Sequence, residues 1–310
     1  MRKLHIISAA LFCTAMLASC HNDEVVSDRD IALKISPTLE QNTTGTRAEA
    51  DGFSPKKQWA EGDEMGLFMY HHSGFGEPYL HFVSQNMRSV YQGGKEWLLD
   101  SPIYLNSEEA VVWAYYPYYS EVYDGTIIPV PIRTGNPIDY MWGKSINRVS
   151  AFDTDAKIPM NHALSQFVLR LKVTPEYQKE GKLSSVRLLA SAPKFSQRGT
   201  MDLSQDGKIS FEPTLSELAW VPATHEKGDL DYAALVYPMQ LEQDEVALEV
   251  VLDGETWTFP LPKAEWRAGK RHISTLQAKY NDLVLGDKDG NAVTVKPWDD
   301  TNIDIELEGQ

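Results

Sequence analysis

Cysteine is nearly absent from this chain: two in 310 residues, Cys13 and Cys20. Cys13 lies in an N-terminal stretch that export would remove, so no lasting disulfide is expected. Packing and hydrogen bonds must hold the fold unaided. Long apolar runs are missing too. The run at 6–17 falls short of the roughly 20 residues that a membrane-spanning helix needs. Cations are scarce, with 29 Lys and Arg against 44 Asp and Glu, a formal net charge of −15. That balance argues against nucleic acid and anionic lipid as partners. The sequence also lacks HExxH, GxSxG, a Walker loop and a complete GxGxxG. No enzyme activity, cofactor or metal is therefore expected.

What is present begins with Arg2 and Lys3, then the apolar run, then Leu17-Ala18-Ser19-Cys20. A charged start, an apolar middle and small residues before the cut make a signal peptide over 1–19. The last four residues look like the lipobox read by lipoprotein signal peptidase. Cys20 is expected to carry acyl chains; stable anchoring needs more than one. Residues 20–47 form a lipidated tether and a first strand. In 31–36, Ile31, Leu33 and Ile35 share one face, the period-2 pattern of a half-buried strand that Pro37 closes. A loop over 40–57 follows and carries Arg47-Ala48. Exposed loops of this kind are where proteolysis concentrates.

From Trp59 onward the chain is a series of short strands. They are expected at 65–70, 80–83, 89–91, 103–105, 111–116, 127–132 and 140–143, with turn residues between them. Residues 144–158 are mostly polar, and the domain boundary is placed there, giving 48–155 and 156–310. Strands resume at 164–173, 186–190, 201–203, 209–211, 233–237, 246–252, 256–261, 272–279 and 293–296. The stretch 215–218 reads as one 3₁₀ turn or a loop. The spacing argues for an all-β fold of sandwich or barrel type. Two echoes link the halves: Ala114-Tyr115-Tyr116-Pro117 with Leu235-Val236-Tyr237-Pro238, and Trp59-x-x-Gly62 with Trp266-x-x-Gly269. Their order differs, so this is no simple tandem repeat.

Candidates for chemistry are weak. His71 and His72 are neighbours in a strand, where adjacent side chains point to opposite faces and cannot chelate together. His162 reads as a satisfied structural histidine. The pairs Asp153/Asp155, Asp229/Asp231 and Asp287/Asp289 read as solvated turns that lack the further ligands of a calcium loop. Trp113, Tyr115, Tyr116, Tyr118 and Tyr119 could stack on sugar rings, but strand alternation would turn about half of them inward.

An ordered set of motifs runs through the chain: the lipobox, Thr46-Arg47-Ala48, Trp59-x-x-Gly62-Asp63, Gly66-Leu67-Phe68, Ala114-Tyr115-Tyr116-Pro117-Tyr118, Asp139-Tyr140-Met141-Trp142-Gly143, Asn161-His162-Ala163-Leu164-Ser165-Gln166, Trp266-x-x-Gly269-Lys270 and Pro297-Trp298. In this it resembles the fimbrillin family, the lipoprotein pilins and associated subunits of type V pili. One departure is Lys270-Arg271-His272, where an aromatic is common. The resemblance implies two transthyretin-like β-sandwich domains in tandem. It also implies outer-membrane delivery, cleavage by an arginine-specific protease, and assembly with other pilus subunits by donor strands. Asp23-Glu24 resembles the acidic signal that sends some lipoproteins to the cell exterior. Ile31, Leu33 and Ile35 then mark a removable strand, and Ile303, Ile305 and Leu307, alternating with Asp304 and Glu306, a donor strand. Two alternatives stay open: that 303–307 is the last strand of its own domain, and that Arg47 is a solvated residue of an uncut anchor subunit. A competing reading is a surface lipoprotein adhesin that binds glycans or a host protein without polymerising.

Overall fold

The computed structural model describes residues 31–39, 51–79, 84–133, 135–222, 227–286, 290 and 293–297. In the first half the strands are β1 (Lys34–Leu39), β2 (Asp51–Gly52), β3 (Glu64–His71), β4 (Ser84–Tyr91), β5 (Trp97–Leu99), β6 (Ala110–Tyr116), β7 (Ile128–Pro129), β8 (Met141–Lys144) and β9 (Asp155–His162). Seven of them make one sheet in the order β1-β9-β8-β6-β3-β4-β5. Its pairs are antiparallel except β1 with β9, which is parallel.

β3 explains why this sheet has a core on both sides. Its apolar residues run on without a break, as strands covered on both faces do. Met65, Leu67 and Met69 join one core with Leu33, Ile35, Val112, Ala114 and Ile158. Phe68 and Tyr70 join another with Trp113, Tyr115, Ile128 and Tyr140. The sheet curls around the first core until its two edge strands, β1 and β5, approach within 8 Å between Cα atoms. Residues 31–33 close the seam. Leu33 N donates to Ile103 O at 2.8 Å, and Leu105 N donates to Ile31 O at 2.9 Å.

The second half contributes β10 (Ser165–Val173), β11 (Leu183–Ala190), β12 (Gly199–Asp202), β13 (Lys208–Phe211), β14 (Glu217–Trp220), β15 (Leu230–Val236), β16 (Met239–Leu241), β17 (Val246–Leu252), β18 (Glu255–Pro260), β19 (Ala264–Trp266), β20 (Lys270–Lys279), β21 (Asp282–Leu285) and β22 (Val293–Pro297). One sheet runs β2-β15-β10-β20-β21, with β22 also paired to β20; another runs β14-β11-β17-β18. Phe167, Leu169 and Leu171 of the first meet Leu188, Leu248 and Val250 of the second in a common core.

The strand expected at 80–83 lies outside the described residues. Several other expectations need correction: 103–105 supplies only a bridge at Tyr104, and 127–132 shrinks to the two residues of β7. The stretch 215–218 leads into β14, and among the described residues the one helical turn is the 3₁₀ turn Leu203–Gln205. The polar stretch 144–158 hides the start of β9. There Ala156, Ile158 and Met160 are buried, while Lys157, Pro159 and Asn161 face outward. The first sheet therefore runs past the division expected at 155/156, and the sheets change over between His162 and Ser165.

The halves are also joined. β12 pairs with β7, and β2 pairs with β15. Met201, Leu203, Leu235 and Tyr237 of the second half share a core with Phe68, Tyr115, Ile128 and Tyr140 of the first. The Tyr237 hydroxyl donates to Val130 O at 2.5 Å.

Candidate functional site: the N-terminal edge strand

The sequence of β1 suits an edge. Lys34 and Thr38 point to solvent, Ile35 and Pro37 are buried, and Ser36 is half-buried. Pro37 lies within the strand rather than closing it, and the strand begins at Lys34 rather than at Ile31. A proline cannot donate to a ladder, so it is tolerated on an edge strand. Leu33 and Ile35 are buried in the first core and Ile31 is half-buried. β1 lies along β9 from Lys34 opposite Asp155 to Leu39 opposite Met160. Lys34 N donates to Thr154 O at 2.8 Å, and Ser36 Oγ donates to Asp155 Oδ1 at 2.6 Å.

The Trp59-x-x-Gly62-Asp63 motif stands over this strand. Asp63 N donates to Ala60 O, which closes a turn, and Gly62 there has φ +88°, a conformation that glycine adopts without strain. The Asp63 carboxylate accepts from Ala60 N at 2.7 Å, from Lys56 Nζ at 2.8 Å and from the Tyr116 hydroxyl at 3.0 Å. This turn carries Trp59 to β1, where its indole N–H donates to Pro37 O at 3.3 Å. The Trp59 ring meets Trp97 edge-on at 5.1 Å and Tyr116 at 5.4 Å between centroids. Burial and the nearby Asp63 carboxylate push the Tyr116 hydroxyl above its ordinary pKa. Sequence reasoning named the motif but not its contact with β1, because nothing in the spacing of 37 and 59 announces one.

Other site residues separate. Cys20, Arg47, Ala48, Ile303, Ile305 and Leu307 lie outside the described residues. β1 ends at Leu39, while Asp51 and Gly52 pair with Tyr232 and Ala233 of the second sheet. Phe53 N continues that attachment with a bond to Ala233 O. The chain on either side of Arg47 is thus fixed to different sheets. His71 and His72 do not diverge as expected, because β3 ends at His71. Their rings approach to 4.2 Å, with His71 Nδ1 on Ser73 Oγ and His72 Nδ1 on Glu109 O. Among the described residues no three His, Cys, Asp or Glu side chains are grouped to hold a metal. His162 Nδ1 lies 2.8 Å from Asp139 Oδ1. Asp153 accepts from Asn147, Asp229 from Lys172, and Asp231 takes both bonds of Arg170. Of the aromatic cluster, Trp113 and Tyr115 are buried, and Tyr116, Tyr118 and Tyr119 half-buried. The cluster is packing material and presents no flat exposed platform.

Solved structures share this fold. A Bacteroides ovatus protein named for cell adhesion superposes with a TM-score of 0.64 at 17% identity, over 86% of this chain and 97% of its own. A Bacteroides uniformis protein of the same designation gives 0.61 at 17% identity, over 86% and 98%. A fimbrial protein from Bacteroides vulgatus gives 0.52 at 12% identity, over 86% and 99%. Among curated proteins none matches. The fimbrillin-like family model matches residues 46–298, most of the sequence, and the chain belongs to that family.

Proposed function

We propose that this chain is a structural or accessory subunit of a cell-surface pilus, exported as an outer-membrane lipoprotein through Cys20. On this reading an arginine-specific protease cuts between Arg47 and Ala48. β1 then leaves, and an extended segment of another subunit takes its place. Family membership supports the fibre role. One observation carries the mechanism: Arg47 stands between β1, which fills the seam of the first sheet, and β2, which is tied to the second. A cut there frees the strand while the rest of the chain stays pinned. The vacated edge of β9 and the pockets of Leu33 and Ile35 would then form an apolar groove.

An unfilled sheet edge is a template for another chain. The entering segment gains main-chain hydrogen bonds while alternate side chains fill pockets. Ile303, Ile305 and Leu307 offer three such side chains, at about 1.5–3 kcal/mol each when fully buried. The reading takes the chain as two transthyretin-like sandwiches in tandem, with β9 counted to the first. It needs no catalytic group, and its partners are other pilus subunits, the outer membrane and the protease.

The test follows polymer formation by electron microscopy after protease addition. Wild type is expected to form fibres, Arg47→Ala to remain monomeric, and the chain lacking 302–310 to be cut without polymerising. Fibres of normal length from the truncated chain would remove the C-terminal segment as donor. Fibres from Arg47→Ala would remove cleavage at Arg47 as the trigger.

A further inference from the structure

We propose that Trp59 is the latch of the N-terminal strand: its indole N–H holds the Pro37 carbonyl and its ring closes the seam between β1 and β5. This deepens the reading above and rests on it for its purpose, though not for its geometry. Three contacts converge on one side chain. The N–H reaches Pro37 of β1, one ring contact reaches Trp97 of β5, and the other reaches Tyr116 at the end of β6. Trp97 and Pro37 lie on the two edge strands of the curled sheet. Trp59 therefore spans the joint that must open when β1 leaves.

The remainder of the motif holds the latch still. Asp63 ties the turn to Lys56 and Tyr116, and Lys56 Nζ stands 5.2 Å from the Tyr116 ring centroid and 5.9 Å from that of Trp59. Gly62 N donates to Tyr91 O, and Tyr91 N donates to Asp63 O, which docks the turn on β4. None of these anchors belongs to β1, so the turn keeps its place when the strand departs. Pro37 has no N–H, so at this position the strand offers an acceptor only, and a tryptophan supplies the matching donor.

The test is amide hydrogen exchange, read by mass spectrometry on the full uncut chain. Trp59→Phe keeps a ring and loses the donor. It is expected to speed exchange in the peptide covering 31–39 by about two- to tenfold, the worth of one neutral hydrogen bond, and to leave β20 peptides unchanged. Trp59→Ala is expected to speed it further. Unaltered exchange over 31–39 in both variants would overturn the latch. So would acceleration of β20 peptides by the same factor, since that is loss of global stability. A second arm cuts at Arg47 and times the loss of the 20–47 fragment, which the variants are expected to release sooner. If the fragment never leaves any variant while the exchange difference holds, the latch stands and the exchange of strands between subunits fails.

Discussion

At the scale of single residues, two tyrosines do the same work in the two halves. Tyr115 lies over Gly66, where an added Cβ would come 2.0 Å from the ring, and Tyr237 lies over Gly199, where it would come 2.9 Å away. Only Tyr237 belongs to a repeated Tyr-Pro ending; in the first half that place is taken by Tyr116, which bonds Asp63, and its neighbour Tyr115 covers the glycine. Gly66→Ala is expected to cost about 1–3 kcal/mol, the range of overpacked cores, measured by urea denaturation. An unchanged midpoint would show that Tyr115 has room to move. His272 is a second such residue. It is buried, Arg267 N donates to its Nε2 at 3.2 Å, and burial together with the Arg267 charge lowers its pKa to about 4. The unfolded chain binds this proton near pH 6.5, the native one only near 4. Between those values the unfolded state holds more protons, so stability falls as pH drops, by about 3 kcal/mol in all. His272→Gln, which keeps an acceptor, is expected to flatten the melting temperature between pH 6.5 and 4. An equally steep curve would mean that carboxylates alone set it.

At the scale of elements, the strands rich in apolar residues were legible, while β9, which alternates with a polar outward face, was not. β3, β6, β10 and β17 announce themselves by apolar content and turns. β9 is hidden because its outward face, Lys157, Pro159 and Asn161, is all that a polar count registers. β1 was legible by its period of two, yet its bounds shifted because Pro37 reads as a stop. Its place beside β9 was not legible at all, since a parallel pairing across more than a hundred residues leaves no local trace. The masking of a long-range partner also explains why Trp59 could be named as a motif and not as a contact. A chain that lacks residues 20–47 is expected to lose about 3–6 kcal/mol, from Leu33 and Ile35 at about 1.5–3 kcal/mol each. It is also expected to bind an apolar dye. A synthetic peptide of residues 31–39 is expected to restore the melting temperature and displace the dye. Dye binding that the peptide does not reverse would mean general unfolding rather than an open groove.

At the scale of the whole molecule, the shared core makes the halves one unit of stability. Calorimetry is expected to show a single transition, and Tyr237→Phe to lower it as a whole, at a cost of about 1 kcal/mol for the bond to Val130. Two separate transitions, with only one displaced, would show that the halves melt independently. The parallel seating of β1 has a mechanical consequence. A pull on the N-terminus directed along β1 crosses every hydrogen bond that residues 31–39 make to β9 and to 103–105. Those bonds share the load at once, as rivets in a lap joint do, and none can fail alone. A pull at right angles would open them one after another, like a zip. An uncut subunit tethered at its N-terminus and drawn along that axis would therefore be a strong footing. A sideways tug, with no change in chemistry, would meet far less resistance.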